Sequence, residues 1–161
     1  MTVLHCFGLM NRGGAETMLM NIYRYINKEK FQFDFLVHTH EPGDYDEEIR
    51  ALGGKIYHIS SIGQVSLLRY IKEFKKALAN MQSIDIIHIH MDWQSGYIAL
   101  AARLAGIKKV IVHSHTNGIN NPTIAKRLAA ACSKVLIQVC GGEKLACSAD
   151  AAYWLFGYKK A

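Results

Sequence analysis

Six of the eight histidines fall in three H-x-H pairs: His38 and His40, His88 and His90, His113 and His115. Each pair closes a short apolar run with the pattern of a β-strand. Residues two apart on a strand point to one side, so each pair can offer two imidazoles to one ligand. Imidazole binds metals, carries protons near neutral pH and hydrogen-bonds sugar or phosphate oxygens. A metal site would want a converging carboxylate or cysteine, and Asp92 is the nearby candidate. The alternative is a set of unrelated polar strand ends, some of them core histidines.

Two loops carry further chemistry. In Gly8 to Gly14, the adjacent Gly13 and Gly14 let the backbone come close to a ligand. The amides of the helix that follows, with its dipole, favour an anion such as phosphate. The same glycines also suit a tight strand-to-helix turn. The run His90-Met91-Asp92-Trp93-Gln94-Ser95-Gly96 brings an imidazole, a carboxylate, an indole, an amide and a hydroxyl together. An indole face stacks on a sugar ring, and carboxylates and amides bond its hydroxyls. Trp93 reads more readily as the first core residue of a helix, and Asp92 and Ser95 equally as caps for it.

These residues need a scaffold that brings strand ends together. Short apolar runs alternate with amphipathic stretches. Strands are expected at Val3–Phe7, Phe33–Val37, Lys55–Ile59, Asp85–Ile89, Lys109–Val112 and Lys144–Cys147. Helices are expected at Ala15–Ile26, with Met18, Leu19, Ile22 and Ile26 inward, and at Asp44–Leu52. A third carries the stripe Leu67, Ile71, Phe74 and Leu78. A fourth carries Trp93, Tyr97, Leu100 and Leu104. A fifth is capped by Asn121-Pro122, and a sixth by Ser148, with Ala152, Leu155 and Phe156 inward. This is a single α/β domain: a doubly wound, mainly parallel six-stranded Rossmann-like sheet, helices on both faces, strand order 3-2-1-4-5-6. Ligands of such sheets sit beyond the carboxyl ends of the strands where the order reverses, between the first and fourth strands. The three loops Gly8–Gly14, His90–Gly96 and His115–Asn121 meet there.

Composition narrows the class. Half of the 161 residues are hydrophobic and the net charge is +6. The basic residues read as solvated helix faces or as an attraction to a phosphate or lipid surface. No basic run has the interleaved aromatics of a strand-binding groove, so nucleic acid is not an expected partner. Cys6, Cys132, Cys140 and Cys147 form no C-x-x-C pair. Cys6 and Cys147 lie in apolar strand-like runs, so no disulfide framework or zinc site is expected and the compartment is a reducing one. Met1 leads straight into the first strand, and no apolar run approaches a membrane span. The expected location is the cytoplasm, with peripheral contact at the inner face of the membrane. A nicotinamide dehydrogenase is a poor fit: the glycine loop lacks the G-x-G-x-x-G spacing, and His38-Thr39-His40 stands where an acidic ribose ligand is needed.

Gly13-Gly14-Ala15-Glu16 after the first strand, with Asn21 on the helix, resembles the GGAE signature of retaining family-4 glycosyltransferases. So do Phe33–His38, Asp85–His90, Val112–His115, and the closing Ala146-Cys147-Ser148 followed by Ala151–Gly157. The resemblance covers nearly the whole chain and is nearest the bacterial branch that builds capsular or exported polysaccharides. It implies the N-terminal, acceptor-side domain (residues 1–161) of a two-domain GT-B enzyme. That enzyme passes a sugar from a nucleotide-diphosphate donor to a polysaccharide or lipid-linked acceptor, with retention. It also implies that Gly13 and Gly14 face the donor diphosphate and acceptor, and that His115 contacts the transferred sugar. His90, Asp92, Trp93 and Ser95 would shape the acceptor site, and no metal or cofactor would be needed. Most donor contacts would come from a C-terminal domain lying outside this chain, so the fragment alone is expected to be inactive. Two other classes stay open: a stand-alone nucleotide- or anion-binding module, and a metal-dependent hydrolase built on the H-x-H pairs.

Overall fold

The computed structural model describes residues 1–81 and 83–157. Strand β1 (Thr2–Phe7) leads to helix α1 (Gly14–Tyr25), β2 (Gln32–Val37), α2 (Asp46–Ala51), β3 (Ile56–His58) and α3 (Leu67–Ala79). The second half runs β4 (Ile86–Ile89), a 3-10 turn (Asp92–Gln94), α4 (Ser95–Leu104), β5 (Val110–Ser114), α5 (Ile124–Cys140), β6 (Glu143–Ala146) and α6 (Ala149–Phe156). The sheet order is β3-β2-β1-β4-β5-β6, with every pairing parallel. The expected order therefore holds, and "mainly parallel" becomes wholly parallel. The first and fourth strands are neighbours, so the chain reverses its winding at β1/β4 and leaves a crevice at their carboxyl ends.

Alternation along the strands divides the core. Leu4, Cys6, Leu36, Ile87, Ile89, Val110 and Val112 face one side, with Tyr70 and Phe74 of α3, Ile98 of α4, Ile137 of α5 and Leu155 of α6. Val3, Phe7, Phe33, Phe35 and Val37 face the other, under Leu19, Met20 and Tyr23 of α1 and Ile49 of α2. On that second face Ile111, His113 and Leu145 stay partly or largely exposed, so α1 and α2 cover the β1–β3 half more fully than the β4–β6 half.

Three helix faces differ from the expected stripes. In α1 the inward residues are Leu19, Met20 and Tyr23, while Met18 and Ile22 are 38% and 48% exposed. Tyr23 is buried because its hydroxyl accepts from Gln32 Nε2 at 2.8 Å and donates to the Leu52 carbonyl at 3.3 Å. In α3 the fully buried residues are Tyr70 and Phe74, and Leu67 is exposed. In α4 the buried face is small: Ser95, Gly96, Ile98, Ala99, Ala101 and Ala102. The reason is close contact with α5, since a β-carbon on Gly96 would lie 2.1 Å from the Ser133 carbonyl oxygen. The Gly96 N–H donates to Ser133 Oγ at 2.9 Å.

Two caps resolve cleanly. Thr123, not Asn121-Pro122, caps α5, its hydroxyl accepting from Lys126 N–H at 3.2 Å. Ser148 caps α6 as expected, and Gly157 ends that helix at φ +76°. Cys6 is buried, but Cys147 lies past the end of β6 and is exposed.

Candidate functional site

The carboxyl ends of β1, β4 and β5 carry a cluster of five imidazoles. Register places His5 opposite His88 across β1 and β4. The next alternate positions on these strands add His90, His113 and His115. His5 Nδ1 lies 3.2 Å from His90 Nε2, and His90 Nδ1 lies 2.9 Å from His115 Nε2. Phe7 stacks on His90 at 4.3 Å, and His88 stacks on His113 at 5.4 Å.

The three expected H-x-H pairs thus split. His88/His90 and His113/His115 converge, and His38/His40 stand apart. His38 is buried, its Nδ1–H donating to the Phe7 carbonyl at 2.8 Å and its Nε2 accepting from the Tyr70 hydroxyl at 2.9 Å. His40 lies beside His58. His5, which has no H-x-H partner in the sequence, takes the vacated place. Its one signal was a polar residue at an inward position of an otherwise apolar strand.

Burial governs the electrostatics. Desolvation holds His5 and His90 well below the ordinary imidazole pKa, and neighbouring imidazoles add to the effect. Desolvation, with His113 and His115 beside it, lowers His88 to about 3. Desolvation and His115 lower His113 to about 4. His115 is lowered by burial too, but there the Asp92 carboxylate pulls the other way.

Asp92 is a structural acceptor rather than a cap. Its Oδ1 takes the backbone N–H groups of His115 at 2.8 Å and Thr116 at 3.2 Å, tying the β4 loop to the β5 loop. Asp92 itself sits at φ +43°, a left-handed backbone that a non-glycine residue holds only where its surroundings impose it. Trp93 is half-buried within the 3-10 turn and joins neither core cluster among the described residues. The reading of Trp93 as core is therefore corrected to a half-buried position outside both clusters. Ser95 is fully buried with its Oγ unpartnered, and His90 is 6% exposed. Neither is placed on the open surface, whereas Asp92, Trp93 and His115 are each partly exposed.

Across the crevice, Gly13 precedes α1 and no side chain caps that helix. Nothing lies within 4 Å of a β-carbon built on Gly14, and one built on Gly13 meets the Glu16 carboxylate. The loop is anchored from behind: Tyr45 N–H donates to the Met10 carbonyl at 3.0 Å, and Asp44 N–H donates to Asn11 Oδ1 at 3.1 Å. The helix N-terminus is thus free of a capping hydrogen bond and open at Gly14, with the Glu16 carboxylate of its first turn folded against Gly13, where an incoming anion would have to displace it.

For a metal, the donor nitrogens of His5, His88 and His90, and those of His90, His113 and His115, lie within 4.8 Å of one another in each group. Neither group includes a carboxylate or thiolate among the described residues. Both nitrogens of His90, the residue common to the two groups, already face imidazole partners.

The profile of Glycosyltransferase Family 4 matches residues 12–142. The chain belongs to glycosyltransferase family 4. It is 43% identical over 156 residues to the putative glycosyltransferase EpsF of Bacillus subtilis (strain 168), a match covering 96% of this chain and 41% of that protein. It is 31% identical over 115 residues to the capsular polysaccharide biosynthesis glycosyltransferase CapH of Staphylococcus aureus, covering 71% of this chain and 31% of CapH. The family-4 chain thus spans well under half the length of these curated relatives. Its fold is shared with the crystal structure of Anabaena Alr3699/HepE in complex with UDP and glucose, at TM-score 0.69, 14% identity, and coverage of 98% of this chain and 41% of that one. Acinetobacter baumannii MurG has the same fold at TM-score 0.60 and 13% identity, with 99% and 43% covered.

Proposed function

We propose that this family-4 chain is the N-terminal, acceptor-side domain of a retaining polysaccharide glycosyltransferase. It works with a C-terminal domain that holds most of a nucleotide-diphosphate sugar, and it uses no metal. The observation that carries this reading is the strand reversal at β1/β4, where the loop before the uncapped α1 follows β1 and the Asp92–His115 tie joins the loops after β4 and β5. The α1 N-terminus offers amides and a positive dipole end to a diphosphate. His115 offers a ring nitrogen to the sugar, and Asp92 and Trp93 border the acceptor. The UDP and glucose held by Alr3699/HepE support a uridine-type donor. The test is transfer by a protein joining this domain to a donor domain, with the isolated chain as control. Transfer is expected only from the joined protein, and unchanged after chelator treatment. Robust turnover by the isolated chain, or loss on chelation, overturns the corresponding part. Nucleotide binding without any transfer by the joined protein would favour an anion-binding module instead.

The location we propose is the cytoplasmic face of a membrane. No helix among the described residues is long and apolar enough to cross one. Helix α5, however, exposes Ile124, Leu128, Val135 and Val139 along one side, at 63–78% exposure. Steps of four, seven and four keep them on one stripe, and α5 carries Lys126, Arg127 and Lys134 with no acidic residue. A basic helix with an apolar outer face suits an anionic lipid surface. Sedimentation with phosphatidylglycerol vesicles is expected to capture the protein, and Leu128→Glu with Val135→Glu is expected to release it. Equal capture by neutral phosphatidylcholine vesicles would refute the electrostatic part.

A further inference from the structure

His5, His90 and His115 form a hydrogen-bonded chain with one buried end and one open end. Resting on the reading of His115 as the sugar contact, we propose that His5 and His90 are positioning residues that fix the His115 tautomer so that its Nδ1–H points outward as a donor.

Each neutral imidazole carries one N–H, so a chain of three can run in only two directions. In the first, His5 Nδ1–H donates to His90 Nε2, His90 Nδ1–H donates to His115 Nε2, and His115 is left with its N–H on Nδ1. In the second every proton moves to the other nitrogen. His115 then shows a bare lone pair outward, and His5 must hold an N–H on Nε2.

The surroundings of the buried end choose between them. His5 Nε2 is buried with no hydrogen-bond partner. The rings packed against His5 are Phe33 at 4.4 Å and Phe35 at 5.9 Å, which offer no oxygen or nitrogen, and His88 at 5.2 Å and His90, of which His88 makes no hydrogen bond to it. Orphaned buried N–H groups are rarer than under-satisfied acceptors, so this end is better left as a lone pair. At the other end, His115 Nδ1 is unpartnered among the described residues but is not among the buried atoms, so an N–H there can meet solvent or substrate. The His5 end selects the first direction, and the open His115 end accommodates it. His115 then donates to a sugar or leaving-group oxygen without needing to be charged, and its orientation is held from behind, much as a metal-bound imidazole is held by its second nitrogen's partner.

The test is a long-range proton–nitrogen correlation spectrum of the protein labelled with 15N-histidine, which reads the protonated ring nitrogen directly. His5, His90 and His115 are expected to be protonated on Nδ1 near neutral pH. Finding His115 protonated on Nε2, or averaging between the two, overturns the proposal while leaving the glycosyltransferase reading intact. His5→Gln, whose amide can donate in the same place, is expected to keep the His115 signal. His5→Leu is expected to turn it into an average of the two forms. An unchanged spectrum in a folded His5→Leu protein would remove His5 from the chain. Transfer that survives replacement of His115, with the tautomer as expected, would instead defeat the sugar-contact reading.

Discussion

Replacing His115 by alanine is expected to lower transfer about a hundredfold while leaving the fold intact. The size is that of removing one positioned proton donor from a reacting centre, the role proposed for His115, roughly 10² to 10³ in kcat. The fold should survive because His115 lies past the end of β5 and is only half-buried. Its backbone N–H, which ties the β5 loop to Asp92 at 2.8 Å, is kept in the variant. The measurement is kcat and KM in the protein joined to its donor domain, beside a thermal melt. A loss confined to KM would make His115 a binding contact rather than a catalytic residue. Activity within a fewfold of the parent would remove it from the site.

The sheet order was legible because apolar runs alternate with amphipathic ones, and right-handed crossovers leave few topologies. Helix faces were read less well, for a physical reason. Hydropathy marks large apolar side chains, whereas α4 packs where α5 comes close, and closeness selects Gly96, Ala99 and Ala102 instead. Leu104, which looked like the end of an apolar stripe, is 51% exposed. The site shows the same split. Gly13, Asp92 and His115 could be named from loops at strand ends, since the fold rule says where ligands sit. That Ser95 and His90 turn inward depends on a helix starting one residue too early to expose Ser95, and on the rings that cover His90. The inclusion of His5 and omission of His38 depend on strand register, which a single chain does not spell out.

Acid is expected to destabilise the fold well before its carboxylates titrate. His38 shows the sign most cleanly. Burial lowers its pKa from the ordinary value of 6.5 to about 4, with the bond to the Phe7 carbonyl opposing that shift. In the neutral ring Nε2 accepts from the Tyr70 hydroxyl; a proton there would reverse that bond and leave the buried Tyr70 O–H without its acceptor. The unfolded chain takes up the proton near pH 6.5 and the folded chain only near 4. The stabilisation is therefore fully present above about 6.5 and is lost as pH falls towards 4. Linkage puts the loss from His38 alone at about 2 kcal/mol between pH 7 and pH 5. His88, lowered to about 3, and His113, lowered to about 4, act in the same direction. His5 and His90 do so as well, so the total should exceed the His38 share. Urea unfolding at pH 7, 6 and 5 measures it as a falling midpoint at constant slope. His38→Asn, less stable at pH 7, should show a shallower decline because one buried base is gone. A midpoint that stays flat from pH 7 to 5 would mean that the cluster is hydrated enough to take up protons without unfolding. The imidazoles between β1, β4 and β5 would then be part of an open, wet site rather than a buried support for His115.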